Sequence, residues 1–203
     1  MSASEAKKGA GILEPSHPAG SVLDAGDYKA GDDAVERFRE LLRIPTVSRD
    51  DKSLRDDEPF RRWALTLRRL FPRFFEVTEL TTIDDFGMLL RWPGADPSLD
   101  PVVMMAHQDV VPVEGQQWEH DPFGAEIVDG EIWARGTLDT KCIAAAFFEA
   151  AEHLVGQGYV PPRDVWFFSS DGEEVAAPTC AHAVEWFRAH GIHPYMVLDE
   201  GGA

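Results

Sequence analysis

The chain has 203 residues, with 36 acidic side chains against 19 lysines and arginines and a formal net charge of −17. That length suits one domain or one and a half, with ample apolar content for a core. The charge argues against partners that offer a phosphate backbone or an anionic membrane face.

Two cysteines, Cys142 and Cys180, give neither a disulfide framework nor paired thiolate ligands. From Met1 to about Ala30 the chain is rich in Ala, Gly, Ser and Pro without a sustained period, which reads as a mobile arm over residues 1–30. The arm lacks the apolar stretch of a secretory signal, and nothing later is long enough to span a bilayer. A cytoplasmic, reducing location is therefore expected. A first helix begins near Asp32 or Asp33, either of which can cap it. Val35, Phe38, Leu41 and Leu42 share a face, and Pro45 closes it. The loop Thr46–Arg55 is polar. A second helix from about Pro59 carries Phe60, Trp63, Leu67 and Leu70 on one side, with Arg61, Arg62, Arg68 and Arg69 on its solvated side.

Strand-like pieces follow at Phe74–Leu80 and Met88–Trp92, then a buried strand, Val102–Ala106. Ala125–Val128, the turn Asp129-Gly130, and Glu131–Ala134 read as a hairpin. The loop RGTLDTK leads into a helix from about Thr140 to Val155, whose Ala144, Ala145 and Ala146 give a smooth face for close packing on a sheet. Asp164–Ser169 is another buried strand. A helix runs from near Pro178 to Gly191, and Tyr195–Asp199 is the last strand. Strands alternating with helices mean an α/β sheet layered between helices, with one hairpin inserted.

In such sheets ligands sit beyond the carboxyl ends of the strands, where the reactive residues of this chain fall. His107 and Asp109 follow one strand, Asp139 opens a helix, Glu173 and Glu174 follow a second strand, and Asp199 and Glu200 a third. A buried strand such as VVMMA has no packing use for an imidazole and a carboxylate at its tip. A metal site does, since one ring nitrogen binds a cation while a carboxylate holds the other. One histidine with several carboxylates and no thiolates suits zinc, with cobalt or manganese as alternatives. Paired Glu173-Glu174 allows one to bind metal while the other takes a proton from water. Asp139 could bridge two ions, or cap the following helix. The glutamate pair also suits a helix entry, and Asp199-Glu200 a solvated strand end. His17 falls in the arm, while His120, His153, His182, His190 and His193 suit surface or helix-end roles. Cys142 suits the alanine-rich face, and Trp118 and Phe123 suit packing of the hairpin loop.

The runs AHQDVVPV, WEHDPFGAEIVDGEIWARGTLDTK, SSDGEEV and VLDEGG, in that order, resemble the co-catalytic zinc peptidase family that includes aminoacylase, carnosinase, carboxypeptidase S and succinyl-diaminopimelate desuccinylase. RIPTVS and LDEGG are similar to its carboxypeptidase S and N-acyl-amino-acid hydrolase branch. The resemblance implies a three-layer α/β/α sandwich on a central, mostly parallel sheet, with residues 31–203 forming the amino-terminal portion of the catalytic domain. It implies two zinc ions in the complete enzyme: His107 on the first, Asp109 orienting it, Asp139 bridging both through a residue whose peptide bond to Thr140 is cis, and Glu174 on the second. Glu173 becomes the general base, and the last ligand of the first zinc is Glu200 or Asp199.

The implied substrates are short peptides or N-acyl amino acids with a free carboxylate, and the complete protein is a candidate homodimer. Two departures stand out. Gly172 precedes the glutamate pair where relatives carry an acid, displacing Asp171 by one, and Ala176-Ala177-Pro178 replace glycines. Relatives are also longer, with a lid or dimerisation domain and a returning segment that supplies a second zinc-binding histidine. A non-catalytic metal-binding fragment is therefore the competing expectation.

Overall fold

The computed structural model describes residues 30–200; the arm read over residues 1–30 lies outside them except for Ala30. Helix α1 (Asp32–Leu42) starts from Gly31, and no side chain caps it. The expected capping by Asp32 or Asp33 is thus corrected: both lie in the first turn, where they complement the positive end of the helix dipole. Helix α2 (Glu58–Leu70) turns Phe60, Trp63 and Leu67 inward, and its arginines face solvent as expected. The strand read at Phe74–Leu80 is in fact a short helix, α3 (Pro72–Val77), followed by β1 (Glu79–Ile83). Pro72 is well placed in the first turn of a helix, and the turn delivers Phe74 edge-on to the rings of Trp92, Phe147 and Phe148.

Strands β2 (Gly87–Trp92), β3 (Val102–His107), β6 (Val165–Ser170) and β7 (Met196–Leu198) join β1 in a five-stranded sheet ordered β1-β2-β6-β3-β7. β4 (Glu126–Val128) and β5 (Glu131–Trp133) form the separate hairpin, turning at Asp129 and Gly130, both at positive φ. Helices α4 (Lys141–Gly156) and α5 (Thr179–Ala189) complete the order. The α/β fold is as expected, and β6, β3 and β7 run parallel. The sheet as a whole is mixed, because β1, β2 and β6 pair antiparallel. The turn Asp84-Asp85-Phe86 is too short for the crossover that a parallel β1–β2 pair would need.

Alternation along the strands sorts the core into two layers. Leu90, Ala106 and Phe167 join Leu41, Trp63, Phe71, Phe74 and Phe148 on one side of the sheet, while Leu89, Val103, Trp166 and Phe168 meet Ala183 and Phe187 of α5 on the other. Ala144 and Ala145 let α4 lie close enough for Phe147 to stack on Phe167 at 4.4 Å. Helices on both faces give the three-layer sandwich, and among the described residues no helix is long and apolar enough to cross a membrane.

Candidate metal centre

The parallel register aligns His107 with Ser170, so β3 and β6 end side by side and their loops start together. The loop after β3 is pinned from a third direction. Thr46 hydroxyl donates to the Gln108 carbonyl, Val110 N–H donates to the Thr46 carbonyl at 2.9 Å, and Ser48 N–H donates to Val110 at 3.1 Å. The RIPTVS segment is therefore the brace of this loop, with Thr46 and Ser48 buried.

His107 is buried, and its Nδ1 donates to the backbone carbonyl of Asp109 at 2.9 Å, with Asp109 Oδ1 at 3.4 Å. That bond leaves Nε2 facing the acids: Asp139 Oδ1 at 2.9 Å, Glu200 Oε1 at 3.4 Å and Glu173 Oε2 at 3.8 Å. The wholly buried Asp109 carboxylate accepts the backbone N–H groups of Glu173 (3.1 Å) and Glu174 (3.2 Å). Asp109 thus fixes the loop that carries both glutamates as well as the imidazole, a role that sequence spacing did not indicate. The Asp139–Thr140 peptide bond is cis.

Donor atoms of His107, Asp139 and Glu174 lie within 4.8 Å of one another, and so do those of His107, Glu173 and Glu200. Asp199 joins neither group; its Oδ1 accepts the Glu200 N–H at 2.9 Å, and with Cys180 it lines a cavity of about 280 Å³ beside the site. His182 is also outside both groups, paired with Asp84 at 2.8 Å.

The electrostatics ask for a cation. Burial disfavours a charged His107, but the Asp109 carboxylate and carbonyl and the Asp139 carboxylate outweigh it and hold its pKa at about 10. Burial raises Glu174, and Asp139, Asp109 and Glu173 repel it further, against the pull of His107. Glu200 is raised by burial and by Asp139 and Glu173, again against His107. One imidazole ringed by mutually repelling carboxylates fits a divalent ion of zinc type.

Two supports lay beyond the sequence reading. Lys141 is fully buried, its Nζ donating to the Ile44 carbonyl at 2.6 Å and lying 5.1 Å from the Trp63 ring. Gly136, at φ +88°, leaves room for its stem; a Cβ there would meet Val110 at 2.9 Å and Lys141 at 3.2 Å. The second support is Arg55, held between the rings of Phe60 and Phe86 at 5.0 Å each and paired at 3.3 Å with the buried Asp171. Asp171 also accepts the Thr179 hydroxyl at 2.7 Å, and burial pushes its pKa up. The displaced acid before the glutamate pair is thus an anchor for their loop.

Residues 103–202 match the family described as Peptidase family M20/M25/M40. Carboxypeptidase S of Saccharomyces cerevisiae is 32% identical over 207 residues, spanning 93% of this chain and 35% of that protein. The human N-fatty-acyl-amino acid synthase/hydrolase PM20D1 is 31% identical over 171 residues, spanning 82% and 34%. Among solved structures, the M20 family metallo-carboxypeptidase Sso-CP2 from Sulfolobus solfataricus superposes with a TM-score of 0.65 at 21% identity, over 85% of this chain and 38% of its own. Human carnosine dipeptidase 1 gives 0.64 at 21%, over 84% and 38%. These likenesses show the fold, and the chain spans between 30% and 40% of the length of the first relatives it matches. With a carboxypeptidase S-like sequence, the α/β sandwich and these acids at its strand ends, the chain belongs to peptidase family M20/M25/M40.

Proposed function

We propose that this chain carries the metal-binding part of a zinc-dependent peptidase or amidohydrolase of the carboxypeptidase S type. Its substrates are short peptides or N-acyl amino acids with a free carboxylate. The observation that carries this reading is the convergence of Asp139, Glu173, Glu174 and Glu200, from three separate segments, on one buried imidazole. His107, Asp139 and Glu200 would hold one zinc, and Asp139 and Glu174 a second, with cobalt or manganese as substitutes. A bound zinc supplies Lewis-acid polarisation of the amide carbonyl and of water. Glu173 takes the proton from the attacking water and hands it to the leaving amine nitrogen. Its side chain is half exposed and free to reach substrate, while its backbone is held by Asp109. Asp109 is a positioning residue, keeping the imidazole and the base in one frame.

A second reading, a metal-binding but non-catalytic piece, is favoured by one observation: among the described residues both donor groups share His107 and neither contains a second histidine. Elemental analysis of purified, dialysed protein tests both, with His107→Ala as control. One tightly held zinc, lost in the variant, supports a half-equipped site, and two lost together support the complete centre. Protein that takes up no zinc would refute the metal-site reading.

A further inference from the structure

Gln108 stands between His107 and Asp109 and is completely buried. Its backbone is fastened twice: the N–H donates to the Ser170 carbonyl at 2.9 Å, and the carbonyl accepts the Thr46 hydroxyl. The side chain adds a third bond, with Nε2 donating to the Phe86 carbonyl at 2.7 Å. A carbonyl can only accept, so the NH2 end of the amide must face Phe86. Among the described residues Oε1 has no partner. An amide buried with one end unpaired costs free energy that a methionine of similar length would not. Packing alone therefore does not explain the residue, and its single side-chain bond must.

Phe86 gives that bond a fixed end. It closes the turn between β1 and β2, which is held from three directions. Asp84 pairs with His182 of α5, and Asp85 pairs with Lys52 and Arg55. The Phe86 ring stacks on Phe60 at 5.5 Å, with Arg55 and Arg61 at 5.0 and 5.5 Å from its centre. The next residue is pressed against α5, since a Cβ on Gly87 would meet Thr179 Cγ2 at 2.5 Å. We propose that Gln108 is a positioning residue of the metal centre, tying the loop that carries His107 and Asp109 to this turn. Its effect on an ion rests on the metal-site reading above, whereas the tie itself does not. Without the amide bond the segment from His107 to Asp109 can turn, and two groups move with it. One is the Asp109 carbonyl that receives His107 Nδ1–H at 2.9 Å; the other is the Asp109 carboxylate that holds the Glu173 and Glu174 N–H groups.

Calorimetric titration of zinc into the 203-residue chain tests it, comparing the parent with Gln108→Met, Gln108→Asn and Gln108→Glu well below their melting temperatures, so that folded protein alone is read. Methionine removes the donor at similar length, and asparagine keeps the amide but is too short for Phe86. Each should bind zinc at least about tenfold more weakly than the parent. Glutamate, kept protonated by burial, restores a donor of the right reach and should recover most of the affinity. Should Gln108→Met fail to fold, the asparagine and glutamate variants carry the comparison. Proton NMR of metal-free protein gives a readout that needs no ion: the His107 Nδ1–H signal, protected by Asp109 in the parent, should broaden through exchange with water in Gln108→Met and Gln108→Asn. Parental zinc affinity in either of these two, or a glutamate variant as weak as they are, would overturn the proposal. A parent that takes up no zinc, with the His107 signal lost in the variants, would count against the zinc reading and leave the tie standing. No uptake with a parental His107 signal in the variants would refute both.

Discussion

Replacing the buried Lys141 by Met should change how stability depends on pH. Burial lowers the Lys141 pKa from 10.5 to about 7, with the attraction of Asp109 opposing and the repulsion of Arg62 adding to the fall. Between these values the unfolded chain keeps a proton that the folded protein has lost, so stability rises with pH across this window. The span corresponds to about 5 kcal/mol in total, at about 1.4 kcal/mol per pH unit. His107 acts in the opposite sense. Raised from 6.5 to about 10, it contributes stability that is fully present below about pH 6.5 and is lost as pH climbs through 10. In protein kept free of metal by a chelator, the two contributions nearly cancel between pH 7 and 10.

Lys141→Met keeps the stem beneath Trp63 and deletes the amine. The two carbonyls it served retain partners, Leu41 O from Ile44 N–H at 3.2 Å and Ile44 O from Thr46 N–H at 2.9 Å. The pH-independent loss is therefore held to about 1 kcal/mol. Urea unfolding in chelator at intervals from pH 7 to 10 should give a nearly flat profile for the parent chain. The variant should lose about 1.4 kcal/mol per pH unit, so that it compares best with the parent near pH 7. Parallel profiles for the two proteins would show that the buried amine does not change charge in this range.

Three further outcomes are expected. Glu173→Gln should retain the zinc content of the parent while lowering any hydrolysis of N-acyl amino acids by at least about 100-fold; undiminished turnover would remove Glu173 from the role of base. Arg55→Ala leaves the Asp171 carboxylate buried with Thr179 as its remaining side-chain partner, which should cost about 3–5 kcal/mol in denaturant unfolding. Asp171→Asn should cost clearly less, because Arg55 keeps Asp57 at 2.9 Å and Asp85 at 3.3 Å, and equal losses would contradict the pairing. Size-exclusion chromatography across a concentration series should show self-association, since Tyr195 to Leu198 leave an apolar strand edge 40–69% exposed; an unchanging monomer would refute that.

The site was more legible than the sheet that carries it. His107, Asp109, Glu173 and Glu174 stand out because reactive residues break off apolar runs that have no other reason to end in them. Sequence spacing leaves Asp199 and Glu200 equivalent; in the structure Glu200 lies 3.4 Å from His107 while Asp199 accepts the Glu200 N–H, a difference that no local pattern encodes. The run FFEVTEL reads as strand by propensity, yet Phe74 is held in a helical turn by four aromatic neighbours at 5.6–6.1 Å, which shows tertiary packing overriding a local preference. Lys141 was out of reach, since lysine is almost never fully buried and nothing local marks one that is. The same holds for Arg55, whose partners Phe60, Phe86 and Asp171 are brought together only by the chain's return.

These supports bear on why the site can exist at all. Carboxylates gathered around one imidazole repel one another, adding to the burial that is the first cause of the raised Glu174 and Glu200, so the loops carrying them would relax apart if the fold did not restrain them. Hydrogen bonds and one ion pair supply the restraint: Asp109 receives backbone N–H groups from the glutamate loop, Arg55 neutralises Asp171 at its base, and Thr46 fastens the loop after β3. A divalent cation would discharge the repulsion directly and so bind to the folded arrangement in preference to the unfolded chain. At a free concentration 100 times its dissociation constant it would add about 2.7 kcal/mol to stability. That increment should shrink in Arg55→Ala, where the Glu173-Glu174 loop loses one of its two anchors and keeps only Asp109, and should vanish in His107→Ala, where the donor shared by both groups is gone. Thermal unfolding with and without zinc in the three proteins separates these cases; an equal increment in all three would mean that the ion binds elsewhere.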